Sequence, residues 1–531
     1  MGQNRDRIKK FKEQSLKRGK RGISRILFSR TGLIILVLFL QVVYFSGLLI
    51  KVYGDYQKYV LVLVYVIEAV VVIYMVNSKM DSSAKITWLV IILVMPLLGC
   101  LFYIISMSDL GYRRLKKHTG ELLDESRDAL EQDVEIMKEA SDGNSEAVNL
   151  ARYLNRTGSF PLYKDYGSVY YSTGKEMYDA MIEEIKKAKE FVFLEFFIIA
   201  NGYMWGTILD LLEEKVREGV EVRLLYDGMN EVGNVPRSYY KSIEKLGIKC
   251  KSFMPLQPFI STSYNYRDHR KIVIIDGKTA FNGGINLADE YINHINRFGH
   301  WKDAGVKVEG PAVDSFTLMF LQMWDVNEDH MENVQKYIKR SNGETLKDPQ
   351  GYLIPYADTP VDEDRTGENV YIDILYKSKE YCHIMTPYLI LDDELKNAIV
   401  YAASRGLDVC IILPGIPDKK FPYAIAKTYY KELINAGVRI YEYSPGFIHS
   451  KVFVSDNERA VVGTINLDYR SLYHHFECAT YLENAECISN IEDDFQKTRK
   501  ECKLITNDTL KQEKLFYKVI GPIVRIISTI L

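Results

Sequence analysis

Two octets in this sequence have the residue types for the same chemistry. His269-Arg-Lys271-Ile-Val-Ile-Ile-Asp276 and His449-Ser-Lys451-Val-Phe-Val-Ser-Asp456 both read H-x-K-x4-D. Fourteen residues after each histidine begins Gly-(Gly/Thr)-Ile-Asn, which ends at Asn286 in the first copy and Asn466 in the second. The alternation around His and Lys is that of a strand, so both side chains project from one face. Asp276-Gly and Asp456-Asn then supply turns. Two such strands brought together place two imidazoles, two ammonium groups and two carboxamides around one small volume. That set suits a phosphodiester. Lysines neutralise the non-bridging oxygens and asparagines donate hydrogen bonds; one imidazole attacks phosphorus and the other protonates the leaving oxygen. Such chemistry requires neither metal nor cofactor, and the clustered carboxylates of a two-metal phosphodiesterase are not evident in the pattern. The other seven histidines show no matching spacing.

The elements that hold these octets recur as well. KEFVFLEFFII reads as a buried strand, DLLEEKVREG as a helix stopping at Gly219, and VEVRLLYDG as a strand. Later YCHIMTPYLIL, ELKNAIVYAASRG (stopping at Gly406) and LDVCIILPG repeat that order. The expected fold class is α/β: two homologous lobes, each a β-sheet flanked by helices, related by a pseudo-twofold and preceded by N-terminal transmembrane helices. The lobes are placed at 155–340 and 365–531, with 341–364 as the linker between them. A charged connecting helix is expected over 108–154.

Upstream, the apolar residues are concentrated in three runs. Thr31–Ile50 and Ile86–Met107 contain no charged residue, and Tyr59–Val76 contains only Glu68. Each is close to the ~20 residues a helix needs to cross a bilayer. The first 30 residues hold five Lys and six Arg against Asp6 and Glu13, which asks for a cytoplasmic N-terminus. Arg113, Arg114, Lys116 and Lys117 ask for the same side after the third run, and three full crossings cannot satisfy both. One run must be re-entrant or interfacial, or one charge signal overridden, with Pro96 and Glu68 marking the irregular candidates. The C-terminal LFYKVIGPIVRIISTIL either docks on the lobes, the favoured reading, or lies on the membrane surface.

The formal net charge of −2, from 68 basic and 70 acidic side chains, argues against a sequence-independent nucleic-acid binder. Seven cysteines, none in C-x-x-C, exclude a disulfide framework and suit buried thiols facing a reducing cytosol.

The paired motifs resemble the phospholipase D superfamily, in which two HKD motifs form one active site. The closer resemblance is to bacterial cardiolipin synthases of that type. It is carried by YNYRDHRKIVIIDGKTAFNGGINLADEY, by HWKDAGVKVEGPAV with FLQMW, and by TPYLILDDEL, GFIHSKVFVSD and GTINLDYRSLYHHFE. The resemblance implies a membrane phosphatidyltransferase acting through a phosphohistidine. Phosphatidylglycerol would be donor and acceptor, cardiolipin and glycerol the products, with no metal and no nucleic-acid partner. It assigns His269, Lys271, Asn286, His449, Lys451 and Asn466 to phosphate chemistry, with His269 as nucleophile and His449 as acid and base. Asp276 and Asp456 close the motifs, as catalytic residues or as turn formers. Asp303 and Glu477 are expected on the second nitrogen of an active-site histidine, while Glu195 and Thr386, on equivalent strands of the two lobes, either line the pocket or serve strand packing. A phospholipase D using water, a transferase using another alcohol, and a membrane scaffold with retained fold are the alternatives; two complete motifs argue against the scaffold.

Overall fold

The computed structural model describes residues 57–108, 112–255, 266–338, 348–362 and 364–529. Two units separate: among the described residues, one holds the N-terminal helices and residues 522–529, the other residues 115–255 and 266–521.

In the larger unit each lobe is built on its own sheet. The first has seven strands, in the order Val169–Tyr171, Gly305–Glu309, Thr279–Gly283, Lys271–Ile275, Phe191–Phe196, Glu221–Asp227 and Lys249–Phe253. Phe191–Phe196 runs parallel to Glu221–Asp227 and antiparallel to Lys271–Ile275. The second sheet repeats this: Tyr381–Met385 runs parallel to Asp408–Pro414 and antiparallel to Val452–Ser455. Strands such as Lys271–Ile275 are buried along their whole length because helices cover the sheet, so they read as unbroken β-branched runs. The helices end where expected: Tyr203–Arg217 gives way to Gly219 at φ 91° and Asp393–Ser404 to Gly406 at φ 93°, a left-handed turn that glycine adopts without penalty.

Two expectations about connections are corrected. Residues 108–154 do not form one helix; Tyr112–Glu125, Val134–Asp142 and Ala147–Gly158 are separate, the second capped by Asp133. Nor is 341–364 only a linker, because Tyr352–Asp358 is a strand of the second sheet beside His475–Glu483. Its other neighbour, Tyr163–Lys164, pairs only with Tyr352 and Leu353. Pro355 therefore faces no ladder on that side and its missing N–H breaks nothing.

The lobes exchange backbone across their interface. Arg267–Asp268 of the first lobe pairs with His475 and Phe476 of the second, and Gly446–Ile448 of the second pairs with His300–Lys302 of the first. The helix Val313–Trp324 is buried on all sides.

In the smaller unit, α1 (Gln57–Val76), α2 (Ser82–Val94) and α3 (Pro96–Ser108) share a core of Val71, Met75, Trp88, Ile92, Cys100 and Tyr103. The third apolar run is therefore two helices, broken at Met95, whose φ of −134° is not helical, immediately before Pro96. Among the described residues no helix is long and apolar enough to cross a membrane. The run Thr31–Ile50 and the basic N-terminus lie outside the described residues. The C-terminal helix Leu515–Arg525 docks on the second lobe as expected, through Tyr517, whose ring centroid lies 5.3 Å from that of Tyr423, and Gly521, buried against Ala424, while Leu515, Phe516, Val519 and Ile523 are exposed.

Candidate active site

Each motif histidine stands just before a central strand, and its backbone is pinned by the other lobe. The His269 N–H donates to the Phe476 carbonyl at 2.9 Å, and the His449 N–H to the Lys302 carbonyl at 2.7 Å. The side chains follow the same exchange. His269 Nδ1 lies 2.9 Å from the Glu477 carboxylate, and His449 Nδ1 lies 2.7 Å from Asp303 Oδ2. Each lobe's histidine is thus oriented by a carboxylate from the opposite lobe. An ionised carboxylate can only accept, so Nδ1 holds the ring proton and Nε2 keeps its lone pair.

Lys271 Nζ donates to the His269 carbonyl and Lys451 Nζ to the His449 carbonyl, so both ammonium groups fold back beside their imidazoles. Asn286 accepts from the Ile198 N–H at 2.9 Å and donates to the Tyr291 hydroxyl at 2.7 Å; Asn466 donates to Ser471 Oγ at 3.0 Å. Each carboxamide has a second N–H to offer an anion.

Asp276 and Asp456 fall outside this set. Asp276 accepts from the backbone N–H groups of Lys189, Glu190 and Phe191, and Asp456 from those of Lys379, Glu380 and Tyr381. Both residues have positive φ, 53° and 57°, in the turn that ends the motif strand. Each lies five positions after its lysine, roughly 16 Å of extended chain. Their carboxylates tie a turn to the start of the neighbouring strand, which corrects a catalytic reading of either. Glu195 is fully buried opposite Ile272, and burial with the nearby Asp268 charge pushes its carboxyl well above the usual range. Thr386 Oγ1 donates to the Tyr388 carbonyl. Both support strands rather than line a pocket.

Several neighbours were not singled out from the sequence. Trp301 and Tyr291 pack on His449, with ring centroids at 5.3 and 5.4 Å. Phe197 and His475 pack on His269, at 4.8 and 5.2 Å. Trp301 and His475 each stand two residues before the cross-lobe carboxylate, so strand period 2 puts them on its face; that spacing was the available signal. Thr464 donates to Glu477, whereas its counterpart Gly284 leaves room for Asp303: a Cβ there would lie 2.1 Å from Asp303 Oδ1. The two halves are thus differently furnished around a common plan. Two clusters of metal-ligand type groups occur among the described residues, His269–His475–Glu477 and His383–Asp408–Cys410. Their carboxylates are already engaged, Glu477 by His269 and Thr464 and Asp408 by Arg439.

The chain matches the family described as "Cardiolipin synthase, PLD-like domain" over residues 181–324 and 371–499, one stretch in each lobe. It belongs to the phospholipase D-like cardiolipin synthase family. Residues 64–106 also match a phospholipase D-nuclease N-terminal family. Relatives in this family include an uncharacterized protein of Streptococcus mutans serotype c, 52% identical over 87% of this chain and 99% of the relative. Cardiolipin synthase 2 of Bacillus anthracis is 31% identical over 87% of this chain and 89% of its own, and the cardiolipin synthase of Alkalihalophilus pseudofirmus 30% over 85% and 89%. The phosphatidylserine synthase of Haemophilus influenzae shares the fold, with a TM-score of 0.54 at 16% identity, covering 73% of this chain and all of that one.

The electrostatics of the family site predict a pH profile. Burial, ahead of every other cause, lowers Lys271 to about 8 and Lys451 to about 7. It also holds His269 well below its ordinary value and lowers His449 to about 4. A lysine with a lowered pKa keeps its charge below that value and loses it as pH rises through it. In the free protein, anion-binding charge therefore fades between pH about 7 and 8. A bound phosphodiester favours the charged lysines and raises both values again. We expect kcat/KM, which reports the free enzyme, to fall above that window while kcat falls at higher pH. A kcat/KM that stays flat through the ordinary lysine range would contradict this assignment.

Proposed function

We propose that the protein is a cardiolipin synthase that transfers a phosphatidyl group from one phosphatidylglycerol to another and releases glycerol. The carrying observation is the pair of imidazoles, each fixed by a carboxylate from the opposite lobe, within a family of cardiolipin synthases. In the first half-reaction His269 Nε2 attacks phosphorus, and Glu477 stabilises the positive charge that develops on the ring. His449, protonated once the substrate anion has entered, delivers its proton to the departing glycerol oxygen. Lys271 and Lys451 neutralise the non-bridging oxygens, and Asn286 and Asn466 donate to them. In the second half-reaction the now neutral His449 takes the proton from the acceptor hydroxyl, which attacks the phosphohistidine and returns His269 to its starting state.

Water competes with the lipid hydroxyl for that intermediate. Oriented binding supplies effective molarities of about 10⁵ M, enough to favour a positioned lipid over bulk water. Purified protein with phosphatidylglycerol vesicles should yield cardiolipin and free glycerol, at a rate unaffected by EDTA and reversed by added glycerol. Thin-layer or mass analysis of the lipids reads the result. Phosphatidic acid as the dominant product would replace the synthase with a hydrolase.

This reading puts the lobes at the cytoplasmic face of the cell membrane. The basic residues Arg113 to Lys117 and the thiols support this: six of seven cysteines are buried and Cys502 partly so. Cys410 is fully buried and cannot serve as a labelling site. A cysteine at exposed Lys186, in a Cys502→Ser background, should react with a membrane-impermeant maleimide only after cells are permeabilised. Labelling in intact cells would move the lobes to the other side.

A further inference from the structure

Ring centroids of Trp88 in α2 and of Phe102 and Tyr103 in α3 lie 5.3 Å apart. Along one continuous helix, residues 88 and 103 would be about 22 Å apart. The chain must therefore reverse between them, and the reversal sits at Met95-Pro96. Met95 leaves the helical conformation, and proline opens α3 where its missing N–H goes unnoticed. Gly99 makes the close approach possible, since a Cβ there would lie 2.8 Å from Ile92 Cα. Trp88 is seven residues before the bend and Tyr103 seven after Pro96, so the contact is that of two arms folded side by side.

We infer that Ser82–Ser108 is a re-entrant hairpin that dips into the lipid and returns to the face it entered from. Each arm has 13 residues, about 20 Å, against a hydrocarbon core of about 30 Å. The outer surface suits lipid: Ile86, Leu93 and Val94 on α2 and Leu101 and Ile104 on α3 are exposed, as are Val62, Leu63, Val66, Val70 and Ile73 on α1. Apolar area on that scale is not left facing water. The flanks are basic at both ends, with Lys79 and Lys85 before the bend and Arg113, Arg114, Lys116 and Lys117 after it. A hairpin returns its ends to the face it entered from, so the basic residues before and after it lie on one side, as a shared preference for the cytoplasm requires. The segment 522–529 joins the same unit: Thr87 Oγ1 donates to the Ile526 carbonyl at 2.6 Å and bonds Thr529 Oγ1 at 2.9 Å.

The inference rests on the membrane attachment proposed above, and single cysteines in the full chain test the two separately. In the Cys502→Ser background, cysteines replace Lys79, Val94, Met95 and Lys116, one at a time. Intact and permeabilised cells are treated with an impermeant maleimide. Lys79→Cys and Lys116→Cys should label only after permeabilisation; the two tip positions should not label from outside. Opposite sidedness at 79 and 116, or a tip reached from outside, overturns the hairpin in favour of a full crossing. Labelling of both 79 and 116 in intact cells keeps the hairpin and refutes the cytoplasmic lobes. Release of the protein by alkaline carbonate without detergent would overturn membrane attachment itself, and the hairpin with it.

Discussion

Replacing His269 with alanine should lower phosphatidyl transfer by about four orders of magnitude or more, because no other group can form the covalent intermediate. His449→Ala should lose a comparable factor with natural substrate, by a different route. A phosphatidyl ester of a good leaving group, such as nitrophenol, needs no proton on departure. His449→Ala should therefore still release nitrophenol in a single burst and accumulate the adduct on His269, since the base for the second half-reaction is missing. His269→Ala should show no burst. Mass mapping of the trapped peptide decides the order of roles. An adduct on His449 in the His269→Ala protein would exchange the two assignments.

Glu477→Gln is the second large effect. Glutamine keeps the size of the side chain but cannot balance a ring that becomes positive, and its amide can hold the wrong tautomer. In a serine-protease triad the equivalent loss is about 10⁴ in kcat, and a fall of about 10³ to 10⁴ is expected here. Because Glu477 faces His269, the burst with the activated ester should slow by the same factor. Asp303→Asn, which faces His449, should spare the burst and slow turnover. Thermal melts of both proteins check that the buried site is intact. Equal burst rates in the two variants would sink the cross-lobe assignment.

Much of this was legible in the sequence, for identifiable reasons. The octets repeat because each lobe needs the same strand, and the Gly219 and Gly406 helix ends show as plain left-handed stops. Tyr352–Asp358 was hidden by Pro355, which argues against a strand unless one side of it lacks a partner. The reversal at Pro96 was only half visible. Apolar content is the same for a crossing and a hairpin, and what separates them is the contact of Trp88 with Tyr103. Asp303 and Glu477 could be picked out as carboxylates near the motifs, but local spacing cannot say that each serves the distant histidine. That follows from the backbone exchange between Arg267–Asp268 and His475–Phe476, contacts made across some 200 residues of chain.

The crossing of carboxylates between lobes also bears on inheritance. Glu477 and His269 lie 208 positions apart, yet they act as one pair. Either half of the chain carries a motif histidine without the carboxylate that orients it here. A change in one half is therefore felt in the other. Two defective alleles, one lacking His269 and one lacking Glu477, damage a single functional unit despite mapping 208 codons apart.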